Sequence, residues 1–417
     1  MNQQAIYYAQ NEKDMRLDFL ILILVGIVSS TISIIYYTLN AYFSVREREK
    51  STLDSGLSGE DVTVIIPVYN ENPEIFERSL SAVRSQTGRV IVVSDGNENP
   101  YREICERNQA EFILKRERTG KRDSLGIGME RVSSRIVILM DADTVPDMDA
   151  VEKVLKEFDE NTGGVGANIY MDTSEGNLVA YASEFLERSK ETVQRAMSRF
   201  GNIMLIDGSF ATYRTEVIKE YVTSSEFRNF RIRGEIPYYG GGDDTSLTSY
   251  TIRKGYRVAK AFDAHVMTVP KKTIKSFAKQ NLRWSRTAWR TFFANIRNGT
   301  FKRSNKFYVM EQFLTFSIPV LFLILLAMRV ITFSDFIYRR GLSAINPMFL
   351  IERDVSDIYM RTYTMLSLLS TTSSFLFLAT VAGRSIKERL KTIAYGSIGA
   401  GILFITSIYA MFTFTRS

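Results

Sequence analysis

Four apolar segments constrain what this chain can fold into, because each is long enough to cross a membrane: residues 19–40, 313–333, 362–382 and 393–414. In lipid, a helix satisfies its own backbone hydrogen bonds, and about 20 apolar residues span the hydrocarbon core. We therefore expect one transmembrane helix at residues 19–40 and three more within residues 313–414. The tail, residues 1–18, has no basic start and no cleavage site, so no removable signal peptide is expected.

Basic residues beside these segments predict the side of the membrane on which each loop lies. Arg46, Arg48 and Lys50 follow the first segment, and residues 384–391 carry four basic residues against one acidic residue. Cytoplasmic loops carry such an excess of Lys and Arg. The long polar region after the first segment is therefore expected in the cytoplasm, beneath the plasma membrane. With four spans, the loop 334–361 and both chain ends are expected outside.

Composition excludes several classes of site. The formal net charge of +7 fits an anionic membrane surface or nucleic acid, but zinc-finger spacing and the RNA-binding aromatic motif are missing, so no nucleic-acid partner is expected. The single cysteine, Cys105, excludes an intramolecular disulfide and is expected to pack within a helix. The single histidine, His265, excludes a multi-histidine metal site; it is either a third metal ligand or, as we expect, a structural residue.

The region 61–270 alternates apolar strands with helical patterns. Apolar runs without polar alternation are typical of strands buried on both faces, and they occupy residues 62–67, 89–96, 111–115 and 136–140. Helical patterns lie near residues 74–86, 100–109, 121–133 and 147–158. This order predicts an α/β domain built on a doubly wound parallel sheet.

Polar side chains follow three of these strands at their carboxyl ends: Tyr69, Asn70 and Glu71, then Asp95, then Asp141 and Asp143. Ligands bind at this edge of an open α/β sheet. Two carboxylates spaced i, i+2 suit Mg²⁺ or Mn²⁺, and these ions suit a diphosphate; a loop cap or a solvated turn has the same pattern. Convergence of three clusters on one edge favours the metal site. Dinucleotide binding is disfavoured, because no G-x-G-x-x-G follows the first strand.

A second acidic site follows three glycines, at Asp243 and Asp244. Glycines before a carboxylate pair allow the backbone to approach a ligand closely. Two interpretations of Asp244 are open. It caps the helix predicted for residues 245–254, or it is a general base that takes the proton of a sugar hydroxyl.

Two amphipathic helices are also predicted. Residues 176–200 place apolar positions opposite a charged face, which fits either a surface helix or a helix at the membrane interface. Residues 271–300 combine Trp and Phe with many Lys and Arg, which favours the interface. On this helix Gln280, Arg283 and Trp284 share one face; Arg offers a fork for phosphate, and Trp offers a flat surface for a sugar.

The ordered D-x-D, G-D-D and Q-x-x-R-W motifs resemble those of the processive, membrane-embedded family 2 glycosyltransferases, the group of hyaluronan, chitin and cellulose synthases. The similarity is closest to hyaluronan synthases and runs from about residue 61 to residue 295. It implies a cytoplasmic GT-A domain with a doubly wound mixed sheet, interfacial helices and about four transmembrane helices. It further implies an inverting hexosyltransferase that uses Mn²⁺ or Mg²⁺, polymerises sugars from UDP-sugar donors, and passes the polysaccharide acceptor through the bilayer.

The resemblance also assigns residues. Those expected to bind the donor are Pro67, Tyr69, Asn70, Glu71, Asp95, Lys121, Arg122 and Asp141. Those expected at the acceptor turn, or at the channel mouth where diphosphate and acceptor sugar are held, are Asp207, Gly208, Ser209, Gln280, Arg283 and Trp284. Asp143, supported by Asp141, is expected to ligate the metal, and Asp244, beside Asp243, to act as the catalytic base.

Three departures from the family's pattern leave the donor sugar and the product open. Ser94 replaces the first of two aspartates in the uridine turn, the acceptor turn is D-G-S instead of S-G-P, and the C-terminal W-G-T-R motif is missing. Two other functions compete: a transferase that adds one sugar to a lipid carrier, and a transporter or receptor with a nucleotide domain. The Q-x-x-R-W face disfavours the former, and no oligomeric state is predicted.

Overall fold

The computed structural model describes residues 3–46, 56–232, 236–237, 242–340, 358–385 and 388–415. The chain divides into two compact units. The first combines Met1–Tyr42 with Glu311–Thr380, and the second combines Phe43–Met310 with Val381–Ser417. The last apolar segment of the chain thus belongs to the unit that holds the sheet, a grouping that the sequence did not predict.

The helices in the described residues are α1 (Gln3–Ser44), α2 (Pro73–Arg84), α3 (Tyr101–Arg107), α4 (Lys121–Glu130), α5 (Ala150–Leu155), α6 (Leu178–Ser198), α7 (Thr215–Thr223), α8 (Ser225–Arg228), α9 (Asp243–Arg253), α10 (Ile274–Arg297), α11 (Thr300–Arg303), α12 (Lys306–Arg340), α13 (Ile358–Arg384) and α14 (Arg389–Thr413). The strands are β1 (Val62–Val68), β2 (Arg89–Asp95), β3 (Glu111–Lys115), β4 (Ile136–Met140), β5 (Thr144–Pro146), β6 (Thr162–Met171), β7 (Phe210–Arg214), β8 (Arg231–Ile232), β9 (Ile236–Pro237) and β10 (Arg257–Thr268).

Among the residues that the structure describes, four helices are long and apolar enough to cross a membrane, and each overlaps one of the predicted segments: Ile23–Ser44, Lys306–Met328, Arg361–Arg384 and Arg389–Thr413. In the first unit, α1 and α12 share a buried polar contact in which Asn40 Nδ2 donates to Glu311 Oε1 over 2.9 Å. Both side chains are fully buried. A polar pair between apolar helices fixes how they pack, because either group alone would lose a hydrogen bond.

The sheet of the second unit has eight strands in the order β3-β2-β1-β4-β7-β6-β10-β5. The first four are parallel to one another, whereas β7 runs antiparallel to both β4 and β6. The sheet is therefore mixed, as the resemblance implied; a wholly parallel sheet, which strand and helix alternation alone suggested, is wrong. β4 lies between β1 and β7 and is buried at all five positions, which places the residues after it at the centre of the sheet edge.

The predicted amphipathic helix at residues 176–200 is α6, and the interpretation of its charged face as a solvent-exposed surface is wrong. Its place at the membrane interface stays a prediction. Arg188 is fully buried, pairs with Glu184 over 2.9 Å and with Glu191, and lies over the Tyr170 ring at 3.8 Å. The charged face points into the protein because these opposite charges neutralise each other there.

The apolar face of α6 packs against α14. A Cβ at Gly396 would overlap the Phe185 ring, and a Cβ at Gly399 would lie 2.8 Å from that of Ala182. Small residues therefore allow the two helix backbones to approach closely. α14 also packs on α10, where Trp289 Nε1 donates to the carbonyl of Ser407 over 3.0 Å.

Gly396→Leu is expected to force α14 away from α6 and to lower the free energy of unfolding by about 1–3 kcal/mol, the usual cost of overpacking. Thermal unfolding of the detergent-solubilised protein measures the effect. Gly401→Leu is the matched control on the same helix, because no atom lies within 4 Å of a Cβ there. Equal melting temperatures for the two variants would show that this helix contact does not stabilise the unit.

Candidate active site

The D-x-D pair lies directly after β4. The Asp141 N–H donates to the carbonyl of Ser209 over 3.2 Å, so the acceptor turn lies against the D-x-D turn. Burial raises the pKa of Asp143, and the charge of Asp141 raises it further. Burial and then Asp143 likewise raise the pKa of Glu71, the last residue of the cluster after β1. Glu71, Asp141 and Asp143 therefore lie close enough to influence one another's pKa, so the structure brings together two of the three predicted clusters.

The third predicted cluster, Asp95, has a different geometry. Its side chain is buried, and its two oxygens accept the N–H groups of Thr119 and Gly120 at 3.0 Å each. Lys115 Nζ lies 2.8 Å from the same carboxylate. Asp95 thereby fixes the turn that begins α4, and its role at a nucleobase stays a prediction.

Lys121, at the first position of α4, joins the two acidic sites. Its Nζ lies 2.7 Å from Asp141 Oδ1 and 3.0 Å from Asp243 Oδ2. Burial lowers the pKa of Lys121, but the charges of Asp141 and Asp243 outweigh it and hold that pKa above its usual value. The ammonium group therefore stays charged between the two carboxylates.

Arg122 ties α4 to α9. Its Nη2 donates to the carbonyl of Gly242 over 2.6 Å and to the hydroxyl of Ser246 over 2.9 Å. The guanidinium lies 4.9 Å from the ring centre of Phe227, and the side chain is buried. Its predicted contact with a diphosphate stays a prediction.

The second acidic site begins at a left-handed glycine. Gly242 has φ of +79° and precedes α9, so Asp243 and Asp244 occupy the first turn of that helix. A Cβ at Gly242 would lie 2.9 Å from Thr287 Cγ2 of α10, which requires glycine for both conformation and space. The other two glycines of the motif lie outside the described residues.

Asp244 and Asp243 differ in the direction of their pKa shifts. Burial and the neighbouring charge of Asp243 raise the pKa of Asp244 to about 6, although Lys121 acts in the opposite direction. Asp243 differs, because Lys121 and Arg122 outweigh burial and lower its pKa. Two adjacent carboxylates thus have pKa values driven apart, the arrangement that separates a proton acceptor from a permanently charged group.

The acceptor turn lies against both sites. A Cβ at Gly208 would lie 3.3 Å from Lys121 Nζ and 3.6 Å from Asp244 Cβ. The carboxylate of Asp207 lies 2.6 Å from Lys190 Nζ and 3.6 Å from Lys260 Nζ. Burial raises the pKa of Asp207, but these two ammonium groups outweigh it, so the net shift is downward. Asp207 therefore stays charged, and its ion pairs with Lys190 and Lys260 hold the turn beside Asp244.

The Q-x-x-R-W motif lies on α10. Arg283 is exposed, and Trp284 is 43% exposed, so its ring is available as a surface. Thr287 is on the same face of the helix as Gln280 and Trp284. Its Cγ2 would lie 2.9 Å from a Cβ at Gly242, so Thr287 packs against that glycine. This contact directs the motif's face towards the first turn of α9.

The residues after β1 form a further part of the sheet edge. Pro67 lies in β1, and Tyr69 beyond it is 39% exposed. The Arg118 guanidinium lies 4.1 Å above the Tyr69 ring. Asn70 has φ of +57°, a left-handed conformation that turns the chain towards Glu71.

His265 lies apart from these contacts. Its Nδ1 is 3.7 Å from Asp147 Oδ2, and its ring centre is 4.8 Å from that of Tyr170. These contacts agree with the expected structural role. Cys105 is fully buried in α3, as expected.

The carboxylate oxygens of the D-x-D pair suit a divalent metal that a diphosphate also ligates. Among the described residues no three His, Cys, Asp or Glu side chains form a metal-ligand group. Asp141 and Asp143 provide two hard oxygen donors whose mutual repulsion a cation would relieve, as the raised pKa of Asp143 indicates. Mg²⁺ and Mn²⁺ sites commonly combine one or two carboxylates with substrate phosphate oxygens.

Sequence reasoning missed the basic residues that organise the site. Lys190 and Lys260 hold Asp207, Lys115 holds Asp95, and Arg118 stacks on Tyr69. None of them belongs to a motif. Strand and helix periodicity do not reveal which lysine meets which aspartate.

The chain is similar in sequence to known proteins. Residues 63–222 match the family model described as glycosyl transferase family 2. An N-acetylglucosaminyltransferase from Rhizobium meliloti (strain 1021) is 30% identical over 248 residues, which are 56% of this chain and 56% of that protein. A hyaluronan synthase from Streptococcus pyogenes is 28% identical over 255 residues, 57% of this chain and 59% of that protein. The chain thus spans little more than half the length of these relatives.

A solved structure shows the same fold. It is the mannosyltransferase PcManGT from Pyrobaculum calidifontis in complex with GDP-Man and Mn²⁺, with a TM-score of 0.57 and 18% identity. The alignment covers 86% of this chain and 99% of that chain. The mixed sheet described above is therefore of the GT-A type, as the resemblance implied.

Proposed function

We propose that this protein polymerises sugars from UDP-sugar donors at the cytoplasmic face of the plasma membrane and passes the product across it. The match of residues 63–222 to the family model described as glycosyl transferase family 2 supports this proposal. The position of Lys121 carries the proposal. One ammonium group reaches Asp141 at 2.7 Å and Asp243 at 3.0 Å, so the donor site and the acceptor side are adjacent. A transferase needs this proximity, whereas a transporter with a regulatory nucleotide domain does not.

In the proposed reaction, Asp244 takes the proton of the acceptor hydroxyl while the oxygen of that hydroxyl bonds to the anomeric carbon of the donor sugar. The bond from that carbon to the diphosphate breaks on the opposite side, so a single displacement inverts the configuration. Asp243 stays ionised and holds Lys121, whose ammonium group stabilises negative charge on the departing UDP. Asp141 and Asp143 would hold a Mn²⁺ or Mg²⁺ ion, which supplies further charge neutralisation of the diphosphate.

The donor nucleotide is proposed to lie along the sheet edge from Tyr69 to Asp143. The exposed Tyr69 ring offers a stacking surface, with Arg118 beside it, and Glu71 faces the D-x-D pair. The names of several relatives specify transfer of N-acetylglucosamine. UDP-N-acetylglucosamine is therefore the first donor to test.

The acceptor end is proposed to rest on Trp284, with Gln280, Arg283 and the turn at Asp207–Ser209 around it. Trp284→Ala is expected to lower polymer formation about 10- to 100-fold, because the sugar loses an aromatic surface worth about 1.5–3 kcal/mol. Trp284→Phe keeps a flat ring and should recover most of the activity. Product mass and UDP release are both measured; equal polymer yields from the alanine variant and the unchanged protein would remove Trp284 from the acceptor site.

The proposed function is tested with purified protein in lipid vesicles, Mn²⁺ or Mg²⁺, and UDP-sugars supplied singly and in pairs. We expect UDP release and a high-mass polymer with one donor or one donor pair. A product of one sugar on a lipid carrier would instead establish the alternative transferase, and no UDP release with any donor would overturn both.

A further inference from the structure

The helix α14 is apolar and long enough to span a membrane, yet its contacts distinguish it from α1, α12 and α13. Both of its ends contact helices of its own unit, α6 at one end and α10 at the other. From Lys391 to Phe414 the helical rise is about 35 Å, which exceeds the roughly 30 Å of a hydrocarbon core. The depth of α14 is therefore set by the depth of α6 and α10.

The amino-terminal half of α14 lies on α6. Lys391 Nζ is 5.8 Å from the Tyr181 ring centre, and Gly396 and Gly399 pack against Phe185 and Ala182. The carboxyl-terminal half lies on α10, where two arginines meet the end of the helix. Arg286 Nε donates to Thr413 Oγ1 over 3.2 Å, and Arg290 Nη1 donates to the carbonyl of Phe414 over 3.1 Å.

The helix α10 cannot lie across the hydrocarbon core of a bilayer, because exposed basic side chains follow one another along it. They are Lys275, Lys279 and Arg283. A charged side chain is strongly disfavoured at the bilayer centre. Since α14 lies beside α10, the carboxyl-terminal half of α14 stays at the same boundary as this charged helix.

Residues at the ends of α1, α12 and α13 belong to the second unit and contact its other helices. Arg384, the last residue of α13, donates to the carbonyl of Ser44 at the end of α1 over 2.8 Å and lies 3.7 Å from Glu191 of α6. The Phe301 ring joins α10 to the start of α12, with centres 5.9 Å from Phe292 and 6.3 Å from Tyr308. Within the second unit, α6 is therefore joined to the last residues of α1 and α13, and α10 to the first residues of α12.

We propose that α14 does not cross the bilayer but lies in the plane of this boundary, with its outer face in the acyl chains of one leaflet. That face is apolar and exposed along the whole helix, and its residues are Leu390, Ile398, Ile405, Tyr409 and Phe412. The opposite face holds the small residues packed on α6. Arg389 and Lys391 at the start of the helix complement anionic headgroups at the same level.

Two consequences follow from this placement. The end of α14 lies on the catalytic side of the membrane, which differs from the outside location predicted from four spans. The helix also packs against both α6 and α10. α6 carries Lys190, which pairs with Asp207 of the acceptor turn, and α10 carries the Q-x-x-R-W motif. The proposal does not depend on the reaction that the site performs.

Depth measurements test the proposal on the full-length protein in lipid vesicles, with Cys105→Ala removing the native thiol. Spin labels are placed singly at Ile398→Cys, Ile405→Cys and Phe412→Cys on the exposed face. The outer two are 412 − 398 = 14 residues apart, about 21 Å along a helix. We expect label depths within about 5 Å of one another. A graded difference approaching 20 Å would overturn the proposal.

Sidedness gives a second, independent test with a membrane-impermeant maleimide on intact and permeabilised cells. Thr415→Cys should be labelled only after permeabilisation, as should Met148→Cys, which lies in the catalytic unit and is 92% exposed. Ser343→Cys, in the loop predicted to be external, is the opposite control. Labelling of Thr415→Cys on intact cells, together with Ser343→Cys, would place α14 across the bilayer.

Discussion

Asp244→Asn is expected to lower kcat about 10²- to 10⁴-fold, the range that general base catalysis contributes, while KM for the donor changes little. The asparagine cannot take the acceptor proton, but it keeps the shape of the side chain and the hydrogen bond from the Thr245 N–H, which is 2.7 Å long. Initial rates of UDP release and of polymer formation measure the effect. Polymerisation at the unchanged rate would show that another group takes the proton.

The pH dependence of the unchanged protein should show the same group. Asp244 accepts a proton only as a carboxylate, and its pKa of about 6 in the free protein means that kcat/KM falls as the pH drops through 6, about tenfold per pH unit. The charged groups facing it are Asp243, Lys121 and Asp207, and none of them has a pKa raised into this range. Asp244→Asn should therefore lose this acidic limb of the kcat/KM profile. A limb that persists in the variant would assign it elsewhere.

Asp143→Asn is expected to lower kcat/KM about 10²- to 10³-fold, because a metal that stabilises the departing diphosphate contributes several kcal/mol. Chelation of the unchanged protein with EDTA should abolish activity, and added Mn²⁺ or Mg²⁺ should restore it. The variant should need a higher metal concentration for half-maximal activity.

Asp147→Asn is the matched control for this variant. It lies four residues further along the chain, is exposed, and pairs with His265 instead of the D-x-D turn. Its activity and its metal dependence should equal those of the unchanged protein. A loss of the same size in both variants, or full activity of Asp143→Asn in EDTA, would contradict the assignment of the metal.

Much of the sheet was predictable because burial on both faces leaves a direct pattern in the sequence. The apolar run at residues 136–140 predicts a buried strand, and β4 occupies the same residues. The two carboxylates after β4 lie at the sheet edge, as expected, because the strand ends there. Asp243 and Asp244 follow Gly242, and that glycine's left-handed conformation starts α9 two residues before the predicted helix.

Other features depend on tertiary contacts that periodicity does not encode. The charged face of α6 looks solvent-exposed in the sequence, because a helical pattern cannot show that Arg188 and Glu191 neutralise each other inside the protein. The antiparallel direction of β7 between β4 and β6 is set by the topology of the sheet and not by the local strand preferences of its residues. The contacts of the Asp95 carboxylate with Lys115 and with two backbone N–H groups are likewise tertiary and leave no pattern in the sequence.

Product size at early times tests the central claim most directly. Purified protein is supplied with excess UDP-sugar, and the product is sized by gel filtration while only a small fraction of the donor is consumed. A processive polymerase predicts that high-mass chains are present from the first time points, that UDP release matches the sugar incorporated, and that Asp244→Asn removes both. Single-sugar products, or chains that lengthen together from a short start, would contradict the account.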